Sequence, residues 1–224
     1  MKNKMLLITA LSVAGVMAGT VTTYSDRATF NAAVGATTVE DFGPVYRFPI
    51  STGVLNSATN LIVDDGPAIT PGLIKPGVTY SVPIDAASSF NIDEGVGFVG
   101  GFLDSIGSTD LTVTFDGPVR ALGFDTNVVM SDFSLTLNFI SGSPLVLQVV
   151  GPTSVDLSFF GYQSDAQDIA SAVVRWSGRS GFGFALDNFT FTDPGTSGAV
   201  PEPSALSLLG IGLAGFAALS RLRR

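Results

Sequence analysis

The clearest pattern in this chain is a two-residue alternation. Leu111, Val113 and Phe115 alternate with threonines, and Phe133, Leu135, Leu137 and Phe139 alternate with Ser134, Thr136 and Asn138. Leu145, Leu147 and Val149 follow, then Val155, Leu157 and Phe159. Successive side chains of a strand point to opposite faces, so each run predicts a strand with one face on a core. Further strands are predicted over 37–42, 78–82, 96–102, 119–124, 169–176 and 182–191. Asp116-Gly117 stands between two runs and reads as a hairpin turn. The segment 43–77 is rich in Pro, Gly, Asn and Ser; it reads as loops with two short strands, near 61–63 and 68–70. One short helix is predicted near the start. Ser25 or Asp26 can cap it, Gly35 can end it, and Phe30, Ala33 and Val34 would share its buried face.

About ten strands at close to ten-residue spacing, with little helix, predict an all-β fold: an antiparallel β-sandwich, with a jelly roll as the expected variant. Two local details matter. In 37–42, Val39 takes one face and Glu40 and Phe42 the other, so Glu40 points inward with Phe42. In 182–191, Phe182, Phe184 and Leu186 share one parity and Phe189 and Phe191 the other. The apolar set slips at Asp187-Asn188. A β-bulge there explains the slip; otherwise one set faces solvent or a second layer.

Both ends break the strand pattern. Lys2 and Lys4 precede the apolar stretch 5–18, and Val16-Met17-Ala18 offers a small-residue cleavage site. Residues 1–18 read as a secretory signal peptide, with a retained anchor as the alternative. At the other end, 205–220 is an apolar run without charge or proline, followed by Arg221, Arg223 and Arg224. As a helix it would be about 24 Å long, a little short of the hydrocarbon core, a gap that local thinning can close. A transmembrane helix with its basic tail in the cytoplasm is the expectation, against a buried core helix. The body then divides into an ectodomain over 19–194 and a linker over 195–204.

Composition narrows the chemistry. The whole chain has a net charge of −8, and the body between the two ends carries 6 basic and 18 acidic residues. Such a balance disfavours nucleic acid and anionic membrane surfaces as partners and permits a divalent cation. There is no Cys and no His. A Ser-His-Asp triad, a His-ligated zinc site and disulfides are therefore excluded. No G-x-S-x-G, P-loop or zinc signature occurs, so no catalytic residue is assigned and the chain is expected not to be an enzyme. The weaker alternative is a glycoside hydrolase working through two carboxylates.

Pro201-Glu202-Pro203, the apolar run and the terminal arginines occur in that order at the C-terminus. Together they resemble the PEP-CTERM sorting signal of Gram-negative bacteria. The resemblance implies passage through the secretion translocon, inner-membrane anchoring, and processing by an exosortase-type enzyme near the triplet. Release to the cell surface or matrix would follow. Two prolines keep that stretch extended and open to an enzyme. The body, through D-R-A-T-F-N-A-A, T-T-V-E-D-F-G, V-T-F-D-G-P-V-R-A-L-G-F-D, F-F-G and G-F-A-L-D-N-F, is similar to exported β-sandwich passengers of this class. These resemble carbohydrate-binding jelly rolls. That likeness implies a structural Ca²⁺ shared by Glu40 or Asp41 and Asp187.

Hard oxygen ligands from Glu40, Asp41 and Asp187 would suit calcium, and solvated surface carboxylates are the plainer reading. Asp64-Asp65 and Asp93-Glu94 do not match the spacing of an EF-hand loop. For glycan binding, aromatic rings near loops could form a platform: Tyr46, Tyr80 and Tyr162 are the candidates. Trp176 shares parity with Val174 and is assigned to the core. The functional expectation is a non-catalytic envelope or matrix protein associated with exopolysaccharide. A calcium-dependent carbohydrate-binding module is the alternative.

Overall fold

The computed structural model describes residues 20–43, 47–50, 53–83, 89–93, 102–106, 110–127, 132–151, 156–176 and 185–194. In chain order the elements are β1 (Val21–Tyr24), α1 (Arg27–Val34), β2 (Thr38–Glu40), β3 (Arg47–Ile50), β4 (Val54–Asn56), β5 (Val78–Ser81), β6 (Ser89–Asp93), β7 (Phe102–Ile106), β8 (Asp110–Val119), β9 (Ala121–Thr126), β10 (Phe133–Phe139), β11 (Leu145–Val149), β12 (Ser158–Ser164), β13 (Ile169–Trp176) and β14 (Ala185–Phe191). They form two antiparallel sheets. The first runs β1-β12-β9-β14-β7-β6-β3, with β2 also paired to β14; the second runs β11-β10-β13-β8-β5-β4.

Strands β7 to β14 alternate between the sheets except for the β10–β11 hairpin. Their orders, β7-β14-β9-β12 in one sheet and β8-β13-β10-β11 in the other, are those of a jelly roll. The predicted alternation drives this packing. Leu111, Val113, Phe115, Leu135, Leu137, Ala172 and Val174 are buried, while the threonines between them are not. Rings tie the sheets together: Phe124 of β9 meets Phe133 of β10 at 5.9 Å, and Phe189 of β14 meets Tyr80 of β5 at 5.6 Å.

The Asp116-Gly117 turn does not form. β8 continues through both residues to Val119, and the Asp116 N–H donates to the Gly77 carbonyl at 3.0 Å. The chain bends at Arg120 instead and crosses to the other sheet, so β8 and β9 are not a hairpin. Ladder partners along ten residues outweigh a two-residue turn preference. Residues 61–63 and 68–70 form a single bridge, Leu61 to Ile69, rather than strands. β3, β4 and β6 lie where loops were expected, or where no element was assigned. Much of the predicted strand 96–102, the segments 152–155 and 182–184, and both chain ends with the predicted signal, linker and sorting helix lie outside the described residues.

α1 forms as the sequence requires. The Asp26 side chain accepts from the Thr29 N–H at 2.7 Å, and Gly35 ends the helix at φ 79° with its N–H on the Asn31 carbonyl. Phe30 is buried and Val34 half-buried, but Ala33 is exposed. Phe30 packs on the outer face of the first sheet, 5.2 Å from Phe159 and 5.6 Å from Tyr24.

Candidate functional site

The most constrained polar site sits where β14 changes face. Pairing between β14 and β9 slips between Asp187 and Thr190, and Asn188 takes a left-handed φ of 47°. The predicted bulge is therefore present, and Leu186, Phe189 and Phe191 are all in the core. The bulge turns Asp187 onto Asp125, its register partner in β9. Asn188 locks the two: its Nδ2 donates to Asp125 Oδ2 at 3.0 Å and to Asp187 Oδ2 at 3.1 Å, and its backbone N–H donates to Asp187 Oδ1 at 2.6 Å.

Arg27, the first residue of α1, covers this pair. Its Nη2 is 2.9 Å from Asp125 Oδ2 and donates to the Asn188 carbonyl at 3.0 Å. Nη1 donates to Thr190 Oγ1 at 2.6 Å, and the guanidinium lies 4.5 Å over the Phe159 ring. Asp187 is 1% exposed. Burial pushes its carboxyl up to about 7; the neighbouring Asp125 and Asp41 charges add to this, while the Asn188 N–H and Arg27 oppose it.

Glu40 is elsewhere. The β2–β14 register sets it opposite Phe189, and it is fully buried, pointing inward with Phe42 as expected. Its Oε1 accepts from the Phe42 N–H at 2.9 Å and its Oε2 from the Lys75 N–H at 2.6 Å. Burial raises its pKa, and these two N–H groups oppose the rise. The carboxylate thus ties the 73–77 loop to β2, and Phe42 takes the left-handed φ of 53° that the tie requires. Asp41 is exposed and accepts from the Gly43 N–H at 3.3 Å.

Glu40 spends both oxygens on backbone donors, and the Asp125–Asp187 pair already holds a guanidinium and an amide. Among the described residues no group of three or more carboxylates is placed to hold a metal ion.

The aromatic candidates also separate. Tyr80 is fully buried between Phe42 and Phe189, and its hydroxyl has no hydrogen-bond partner among the described residues. Burial and the Glu40 charge hold its pKa well above the ordinary value. It is a core residue and cannot be an exposed platform. Tyr162 is buried too, at 3% exposure, and burial raises its pKa. Tyr46 lies outside the described residues, as does the Trp176 side chain.

Tyr162 does reach a cavity. A cleft of about 330 Å³ opens between the sheets at one edge, lined by Thr23 to Ser25, by Leu147 to Val150 and by Phe160 to Tyr162. Among the described residues no charged side chain lines it. Leu147 and Val149 face inward because they pair with the core residues Leu135 and Phe133. Thr23, Ser25 and Gln148 supply neutral polar groups at the rim, and the Tyr24 hydroxyl is fixed 2.6 Å from the Gln163 amide. Its volume lies at the lower end of the range of small-molecule clefts, and its lining mixes apolar and polar groups.

Sequence reasoning missed Arg27, whose partners lie about 100 to 160 residues away. It also missed Gly123 and Gly161, which face each other across β9 and β12. A Cβ on Gly161 would come within 2.7 Å of both Phe159 and Phe30, and one on Gly123 within 2.6 Å of Phe159. The Phe159 ring therefore lies across the two glycines, under Arg27. The G-F-D and F-F-G motifs contain these residues, but their meaning depends on register.

No curated protein and no solved structure matches the chain. One family model does, over the tail alone: residues 199–224 match the PEP-CTERM protein-sorting motif. The matched span contains the Pro-Glu-Pro triplet, the apolar run and the terminal arginines. The chain thus carries the PEP-CTERM protein-sorting motif, the mark of an exported protein processed by an exosortase-type enzyme.

Proposed function

We propose that this is a non-catalytic extracellular protein that associates with exopolysaccharide after its tail has been processed. The observation that carries the reading is the sorting motif placed directly behind the last strand of a jelly roll. The edge cleft is the seat we assign to a sugar residue. Neutral apolar walls suit the C–H face of a sugar ring, and Thr23, Ser25 and Gln148 suit its hydroxyls. The seat differs from the expected platform, since Tyr162 contributes to it and the buried Tyr80 does not. Calcium is not needed in this reading, because Arg27 supplies the positive charge at Asp125.

Fractionation of an exosortase-containing host tests both steps. Replacing Pro201 and Pro203 by Ala should leave the longer, unprocessed chain in the membrane fraction. Digesting the matrix polysaccharide should release the processed wild-type protein into the medium. Thr23→Trp, which fills the cleft from an exposed position, should release it without digestion and leave processing unchanged. Equal processing with and without the prolines would sink the tail assignment. Matrix retention that survives both Thr23→Trp and polysaccharide digestion would sink the sugar seat.

A further inference from the structure

The sheet edges of this molecule are not protected alike. Open edges invite pairing with other chains, and proteins blunt them with short strands, charges or proline. Among the described residues, β2 and β4 are three residues long. β3 contains Pro49 and begins at Arg47. β1 exposes two threonines and runs straight into α1. β11 has none of these devices. Among the described residues it ends the second sheet, pairs only with β10, and reads Leu-Val-Leu-Gln-Val. The stretch 133–151 contains no charged residue. Three of the exposed large apolar side chains lie on this hairpin: Ile140 at 55%, Val146 at 56% and Val150 at 81%.

We infer that β11 is a self-association edge, on which a second copy of this chain pairs antiparallel through its own β11. Charge favours the second copy here. Each chain carries −8, so two copies repel over most approaches, and the repulsion is least where two uncharged stretches meet. The sequence is also self-complementary in one register. With Gln148 on the two-fold axis, Gln148 meets Gln148 and their amides can pair. Val146 meets Val150 of the second copy on the outer face, the face that Thr136 and Ser134 mark across β10. Leu147 meets Val149 of the second copy on the core face. Apolar thus meets apolar on both sides, and two six-stranded sheets become one. Gln148 and Val150 also line the cleft, so pairing through β11 and occupation of the cleft compete for the same edge.

One strand per copy buries less than the roughly 1,200 Å² of a stable interface, so the pair forms where copies are crowded and separates on dilution. A covalent trap suits such a contact, and the chain has no Cys to interfere. Residues directly opposite in an antiparallel pair lie within disulfide reach. Full-length Gln148→Cys, expressed in an exosortase-containing host and oxidised in place, should run at twice its mass on a non-reducing gel and collapse on reduction. Ile62→Cys, the most exposed of the large apolar positions at 87%, should stay monomeric. Adding Val146→Lys, or separately Val150→Lys in the tail beyond the strand, should remove the Gln148→Cys dimer while the circular dichroism is unchanged. A folded Gln148→Cys that stays monomeric overturns the proposal. Equal dimer from Ile62→Cys, or a dimer that both lysine variants leave intact, does the same. A mixed disulfide of another mass would replace the second copy by a different protein and would also overturn it.

Discussion

Replacing Gly161 by Ala should cost far more than one methyl group suggests. Gly161 and Gly123 are register partners, and the Phe159 ring rests on both. A Cβ at 161 would stand 2.7 Å from Phe159 Cε1 and 2.7 Å from Phe30 Cδ2. Neither ring has room to give. Phe159 is covered by Arg27 at 4.5 Å, and Phe30 is held against Phe159 at 5.2 Å and Tyr24 at 5.6 Å. Forcing one methyl into such a site costs about 1–3 kcal/mol. Lifting the ring also disturbs the cation–π contact, about 0.5–1 kcal/mol at a partly exposed site. We expect a total near 3 kcal/mol, at the upper end because two rings are met at once. For a domain of this size that lowers Tm by roughly 6–12 °C. Thermal unfolding of the mature protein, followed by circular dichroism, measures it. Phe159→Leu supplies the cycle: in that background Gly161→Ala should cost about 1–2 kcal/mol less. A loss under about 0.5 kcal/mol for Gly161→Ala, or strict additivity with Phe159→Leu, would refute the ring-seat argument.

Three other outcomes follow from the same geometry. Asp187 has a folded pKa of about 7 against an ordinary 3.8, so its contribution to stability is full below about pH 4 and is lost as pH rises through about 7; Asp187→Asn keeps an acceptor for the Asn188 N–H and should flatten the fall in Tm between pH 4 and pH 7, and an unchanged slope would remove Asp187 as its source. Arg27→Ala breaks the Asp125 contact, two hydrogen bonds and the ring contact; a loss of about 2–4 kcal/mol in chemical denaturation is expected, only partly recovered by Lys, which lacks the planar fork. Tyr80→Phe deletes a buried hydroxyl without a partner among the described residues and should leave stability unchanged or raise it by about 1 kcal/mol, so a clear loss would mean that the hydroxyl is bonded.

Parity carried most of what could be read from the chain. It put Glu40 and Phe42 inside, located the bulge at Asp187-Asn188, and matched β13 end to end. The same rule, applied to Val78, Tyr80 and Val82, would have placed Tyr80 in the core with its two valines, and all three are buried. Proximity to loops was the wrong guide there. Asp116-Gly117 shows the opposite limit, a local turn signal overridden by pairing on either side. β3 and β4 were hidden because Pro, Gly and Asn are frequent in 43–77 and strand pairing there is imposed by neighbours, and β6 because Phe90 and Ile92 alone carry its alternation. Arg27, the glycine pair and the cleft become visible only when distant strands are in register. For calcium, the likeness to carbohydrate-binding jelly rolls put Glu40, Asp41 and Asp187 in one set; in the fold Glu40 and Asp187 accept from different backbone donors.

The position of β14 bears on how this chain leaves the cell. It is the last of the described strands to be synthesised, yet it lies in the middle of its sheet, between β9 on one side and β7 and β2 on the other. It also delivers Phe189, whose ring meets Tyr80, Phe115, Phe124 and Phe191. A chain threading outward N-terminus first therefore lacks its central strand until nearly all of it has crossed. The first sheet cannot close until β14 has crossed, whereas the second, which lacks β14, is complete at β13. Closure of the first sheet waits for β14, and the sorting motif begins only eight residues after Phe191. Folding and membrane arrest thus fall at nearly the same moment, at the same place on the chain.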